Sequence, residues 1–204
     1  MRNMTQADFD QLDRAAVTDL VQRERTARDG RVWDEMASYY HPDSRIEVSW
    51  FKGSGAGFTD ATRNNAARGR LSLHHIGASV VTVKNDRALV DMGCQMFGFN
   101  AIDGIDVCVM NHTRLMWRAQ RMDGKWLIAG LRMIYIRDVL QACNPSRVPV
   151  LDQEELSRYR PSYRYLSYML ARSANPPNED LPGIDRPELV AALRAGEAQW
   201  LAAG

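Results

Sequence analysis

Residues Asn111 to Asp138, NHTRLMWRAQRMDGKWLIAGLRMIYIRD, decide how this chain folds. Asp123-Gly124 separates two apolar runs, and Asp-Gly between such runs is a strong hairpin signal. In the first run Thr113, Leu115 and Trp117 alternate with Arg114, Met116 and Arg118. In the second, Trp126, Ile128, Ile134 and Ile136 alternate with Leu127, Leu131, Met133 and Tyr135. Alternation with a period of two predicts strands, and the β-branched and aromatic content favours strands over a buried helix. Much of the second run is apolar on both faces, so that strand is expected to be sandwiched between layers.

Upstream, two further strands, Ser72 to Val83 and Arg87 to Phe99, flank a turn at Lys84-Asn85-Asp86. Asn100 to Asp106 reads as a loop. Before them, Thr5 to Asp8 can cap a helix running to about Arg28. Leu12, Ala16 and Leu20, with Val17 and Val21, form its apolar stripe, and Asp29-Gly30 closes it through a left-handed glycine. Trp33, Met36, Ala37 and Tyr40 recur at helical spacing in a short second helix that His41-Pro42-Asp43 stops. Arg45 to Trp50 reads as a strand and Lys52 to Phe58 as a mobile, glycine-rich loop without phosphate-loop spacing. Thr59 or Asp60 can cap a third helix to about Arg68. Helix, helix, strand, helix and four antiparallel strands make an α+β domain. Three N-terminal helices pack on a curved antiparallel sheet shaped as a cone, whose mouth is the natural ligand site.

Beyond the hairpin the character changes. Residues 1–142 are expected to form the cone, and 143–204 a helical C-terminal extension packed on the domain or a neighbouring subunit. The extension would hold a helix from about Ser162 to Arg172, a linker at Asn175-Pro176-Pro177-Asn178 and a last helix opened by Asp185-Arg186-Pro187-Glu188.

Composition narrows the function. The net charge of +1 gives no general field for nucleic acid or an anionic membrane. No stretch is apolar enough to span a bilayer and no signal-peptide core is present. Three dispersed cysteines, Cys94, Cys108 and Cys143, argue against disulfide and zinc frameworks and suit a reducing, cytoplasmic setting. Adjacent His74 and His75 point to opposite strand faces, so a shared metal is not expected.

Asp29, at a helix end whose dipole favours cations, stands out. A buried carboxylate bonded to an imidazole fixes its tautomer and raises its basicity, so an Asp–His dyad is a general base. Asn111, Thr113 and Tyr135 could offer hydrogen bonds into the cone, and Trp50, Met96, Leu131 and Met133 an apolar wall.

The segment order, with Asp29-Gly30-x-x-Trp33, His74-His75-Ile76-Gly77, Asp86-Arg87-Ala88 and Asp123-Gly124-Lys125-Trp126-Leu127-Ile128, resembles the SnoaL-like branch of the nuclear transport factor 2-like superfamily over about residues 8–140. The resemblance, closest to the scytalone dehydratase pattern, implies a cone-shaped α+β fold, often a homodimer or homotrimer. It implies a lyase or isomerase with no cofactor, acting on a small apolar ring or polyketide-like compound. Asp29 and His74 fall on the family's dyad, and a one-residue slip would substitute His75. The alternative is a non-catalytic binding or assembly protein, as in the small subunits of ring-hydroxylating dioxygenases, which share the cone.

Overall fold

In a computed structural model, which describes residues 5–173 and 176–204, helices and strands follow the expected order. They are α1 (Gln6–Asp29), α2 (Trp33–Ser38), β1 (Tyr40–Val48), β2 (Phe51–Gly53), α3 (Gly55–Ala67), β3 (Leu71–Lys84), β4 (Arg87–Ile102), β5 (Ile105–Met122) and β6 (Lys125–Ala142). The extension adds α4 (Gln153–Ser157), α5 (Arg164–Ala171) and α6 (Pro187–Ala202). Asn175, the first residue of the expected linker, lies outside the described residues, as do residues 1–4.

One six-stranded sheet runs in the order β2-β1-β6-β5-β4-β3. It is curved but not closed, since β2 and β3 remain as edges, and it is not wholly antiparallel, because β1 lies parallel to β6. The long β3 to β6 succession comes from tight turns. Asp103-Gly104 and Asp123-Gly124 both hold two successive residues at positive φ (50° and 73°, 51° and 74°). Those are the angles that match a two-residue turn to the twist of its strands.

Two irregularities in β6 reassign its faces. Register slips opposite Arg118/Ala119 and opposite His112/Thr113 insert one extra residue each, Ala129 and Ile136. Each bulge reverses the inward alternation. Trp126 and Ile128 therefore share the concave face with Leu131, Met133 and Tyr135, all in one core with Leu115 and Trp117. Ile134, expected beside Trp126 and Ile128, instead packs outward with Met116 and Leu193 of α6. The strand is sandwiched, with the α1 side on one face and α6 on the other.

The helices also differ in detail. Thr5 and Asp8 form a reciprocal capping box that starts α1. Its first turns project past the sheet, so Leu12 is exposed and the buried stripe runs Val17, Leu20, Val21, Glu24, Arg25, Ala27 and Arg28. Gly30 is right-handed, and Arg31, at φ 61°, makes the left-handed exit. His41-Pro42-Asp43 belongs to β1 instead of ending α2, because α2 stops at Ser38. The glycine-rich stretch is β2 followed by the start of α3, capped by Ser54, whose Oγ accepts from Gly57 N–H, and not by Thr59 or Asp60. Gly55 is required there: a Cβ would lie 2.3 Å from the Tyr40 ring.

The C-terminal segment straps across the cone. Tyr135 N–H donates to Pro182 O and Ile184 N–H to Tyr135 O, so Gly183 bridges β6 just past the end of β1. Asn178 N–H donates to Ser49 O. Asp138 accepts from Leu166 N–H at 2.7 Å at the start of α5, and Arg118 from β5 meets Glu197 of α6 at 2.6 Å. No helix among the described residues is long and apolar enough to cross a membrane.

Candidate functional site at the floor and mouth of the cone

The end of α1 meets β3 at Asp29. His74 backbone N–H donates to its Oδ2 at 2.7 Å, and the imidazole Nδ1 lies 2.8 Å from Oδ1. With a carboxylate as acceptor, Nδ1 carries the proton and the lone pair is left on Nε2, which has no hydrogen-bond partner among the described residues. His74 points inward and is buried, whereas His75 points to the other face, its ring 4.9 Å from Phe97. An acid at a helix C-terminus is thus compensated by two donors from β3 and by Arg28, whose Nη1 lies 3.1 Å from Oδ1.

The residue that sequence reasoning passed over is Arg28. It is 7 % exposed, and its guanidinium also reaches Ser72 Oγ at 3.3 Å and stands 3.2 Å from His74 Nδ1. Its Nε is buried without a partner. Beside it, Arg25 is neutralised by Glu24 through two bonds of 2.7 Å, and Glu24 also accepts from Tyr40 Oη at 2.5 Å. The signal was available: the apolar stripe of α1 continues at helical spacing from Val17 and Val21 into Glu24, Arg25 and Arg28, so the last turns bury charge.

These charges set the protonation states. Burial, then the Arg28 charge, pulls the His74 imidazole down to about 3, and the Asp29 hydrogen bond only partly opposes them. The carboxylate does raise the imidazole's basicity as expected, but burial and the two arginines outweigh that one anion, so the net shift is downward. Burial works to raise Asp29, but the His74 hydrogen bond and the Arg28 charge hold it below its ordinary value. The pair is therefore carboxylate and neutral imidazole.

Two spaces adjoin the dyad. An inner cavity of about 20 Å³ at the floor is bounded by His74, Arg28, Trp50, Met96, Leu131, Met133 and Tyr135. A vestibule of about 290 Å³ opens above it, lined by Asp29, Arg28, Trp33, Trp50, Met96 and Leu166, among others. Arg28, Trp50, Met96 and Leu166 belong to both linings and form the partition. Leu166 comes from α5, so the extension contributes to the wall.

Of the expected ligand-facing groups, Tyr135, Trp50, Met96, Leu131 and Met133 reach the inner cavity. Tyr135 Oη accepts from Ser49 N–H at 2.9 Å and faces Met133 Sδ at 3.4 Å, a weak acceptor, and burial pushes its hydroxyl up to about 12. Asn111 and Thr113 are also buried but line neither space. Asn111 lies opposite Asp138, beneath the start of α5. Burial raises Asp138 to about 6. A larger groove of about 550 Å³ under α6 holds Arg132 and Arg118, already matched by Glu47 and Glu197. Among the described residues no group of three or more His, Cys, Asp or Glu could hold a metal ion.

Comparison with known proteins agrees with this architecture. A PEP2-like protein of Fusarium vanettenii is 25% identical over 163 residues, covering 77% of this chain and 69% of that protein. Pea pathogenicity protein 2 of the same fungus is 22% identical over 160 residues, with the same shares covered. Among solved structures, a hexachlorocyclohexane dehydrochlorinase, LinA type 2, superposes with a TM-score of 0.59 at 19% identity, covering 71% of this chain and 99% of that one. A scytalone dehydratase-like protein of Novosphingobium aromaticivorans gives 0.53 at 15% identity, covering 70% and 99%. At these identities the structures establish the fold alone. The family described as SnoaL-like domain matches residues 10–132, which hold α1, the dyad and most of the sheet, and the chain belongs to that family, within the nuclear transport factor 2-like superfamily.

Proposed function

We propose that the protein is a cofactor-independent lyase or isomerase that removes a proton from a small, largely apolar ring compound. The observation that carries this reading is the 2.8 Å contact between Asp29 and His74, which leaves the lone pair on Nε2 of a side chain that lines the inner cavity. A neutral imidazole with a fixed tautomer keeps its lone pair open to a proton at neutral pH. Tyr135, whose Oη accepts from Ser49 N–H, donates its O–H only to the weak acceptor Met133 Sδ at 3.4 Å, a bond that an oxygen gaining charge would outcompete. It acts without Asn111 or Thr113, one of which was expected beside it and neither of which lines the two spaces. The named neighbours include a dehydrochlorinase, which is consistent with elimination chemistry on this fold.

The test is exchange in deuterated water. Ring compounds bearing a carbonyl, hydroxyl or halide would be incubated with the protein, and deuterium uptake or loss of the leaving group followed by mass spectrometry. Wild type and His75→Ala are expected to react, and His74→Ala to lose about 10²-fold or more. Full activity in His74→Ala would refute the base.

One observation favours a second reading, a protein that binds its ligand without transforming it. The inner cavity that His74 lines, about 20 Å³, has room for a water-sized group only. Saturable binding of a ring compound without exchange or elimination would select this reading.

A further inference from the structure

We propose that the cone takes a ring compound carrying a carboxylate, with the anionic group held by Arg28 and drawn in by Arg31 and Arg70 at the rim. The inference rests on the reading of the cone as the reaction site and names its substrate class.

Arg28 is the central observation. A guanidinium more than nine-tenths buried, with Nε unpartnered, carries a desolvation cost that the protein leaves unmet. Its other nitrogens are engaged with Asp29 and Ser72. The side chain stands in the partition between vestibule and inner cavity, and a carboxylate oxygen accepting from Nε would supply the missing bond.

The vestibule supplies the rest. Its charged lining is Arg28, Arg31, Arg70 and Arg172 against Asp29 alone. Arg172 is committed to Glu155 at 2.7 and 2.5 Å, but among the described residues no carboxylate pairs with Arg31 or Arg70. A cleft of one sign with low-dielectric walls concentrates the opposite charge. Its apolar walls, including Trp33, Trp50, Leu71, Met96, Leu166 and Met169, call for a hydrophobic body, and about 290 Å³ suits a single ring. Arg31 occupies a left-handed backbone position where glycine costs less, which a role at the rim would account for.

The same contact bears on the chemistry. Arg28 opposes protonation of His74, so an uncharged ligand leaves a weak base. A carboxylate on Arg28 offsets that cation, so His74 is a stronger base with the anionic compound present than without it. The proton leaves carbon for Nε2, the C–H electron pair stays with the substrate, and no oxidant is required.

The probes are benzoate, its neutral counterpart benzamide and inorganic phosphate, titrated into the full chain at constant ionic strength. Benzoate is expected to bind one per chain, about tenfold or more tighter than benzamide, to shift the Arg28 Nε–H resonance, and to raise the His74 pKa. Arg70→Gln, at a side chain with no partner among the described residues, is expected to weaken benzoate several-fold and flatten its salt dependence. Equal binding of benzoate and benzamide, an unmoved Arg28 Nε–H, or phosphate acting as strongly as benzoate would overturn the proposal. Binding needs no turnover, so a negative exchange assay leaves this result standing, and a failed titration leaves the exchange assay standing.

Discussion

Arg28 Nη1 stands 3.2 Å from His74 Nδ1, while both face the same Asp29 oxygen. Two donors share one acceptor, and the cation is permanent. The imidazole is therefore held neutral first by burial and next by its permanently charged neighbour.

His74 is expected to show no titration between pH 5 and pH 8 by nitrogen NMR, remaining the Nδ1–H tautomer, because its pKa is near 3. Arg28→Gln should raise that pKa, and Asp29→Asn should lower it further and loosen the tautomer. An imidazole that titrates at its ordinary value in all three proteins would show that the dyad is not coupled in solution.

The same shift predicts how stability follows pH. The folded His74 binds its proton less readily than the unfolded one, so its contribution is full above about pH 6.5 and is lost as pH falls towards about 3. Asp138 works in the opposite direction. Its folded pKa is raised to about 6 from 3.8, so stability falls as pH rises through that window. Asp138→Asn removes only the second effect. Denaturant melts should show the variant gaining on wild type between pH 4 and pH 6, and parallel curves would refute the assignment.

Gly55→Ala should destabilise the protein by about 1–3 kcal/mol, because the added Cβ meets the Tyr40 ring at 2.3 Å and that ring supports Glu24. Gly196→Ala, within α6 with nothing inside 4 Å, should instead stabilise by about 0.5–1 kcal/mol. Thermal melts of the two variants give opposite signs if the packing at α3 is as described.

Leu166→Ala removes part of the partition between the two spaces and should open a path to Nε2. Diethylpyrocarbonate, which acylates neutral imidazole, should then modify His74 at least about tenfold faster than in wild type, as read by peptide mass mapping. His75, on the opposite face, provides the internal reference. An unchanged rate would place the barrier elsewhere.

Much of this was legible in the chain. Asp123-Gly124 announced the central hairpin because its positive-φ pair is local chemistry, and Thr5 with Asp8 announced α1 for the same reason. Asp29 stood out because its charge opposes the helix dipole. The faces of β6 were not legible beyond Ala129, since a bulge is fixed by the pairing of two distant strands and leaves no local mark. For that reason Trp126 and Ile128 were grouped with the outward-facing Ile134, although they share the concave face with Leu131, Met133 and Tyr135. Ser54 was hidden among glycines whose reason, the close approach to Tyr40, is tertiary. Arg28 was missed because an arginine on a helix reads as solvated, and only the neighbouring strand turns it inward. The parallel β1–β6 pair likewise depends on where the sheet curls, not on either strand alone.

The strap through Gly183 has a consequence for the order of events during synthesis. Pro182 and Ile184 pair with Tyr135, and Asn178 with Ser49, long after those partners have left the ribosome. Leu166 and its helix emerge between the two. A nascent chain thus presents a cone with an unpaired rim until residues 178–184 emerge, so the rim closes only after both strands it joins have been made.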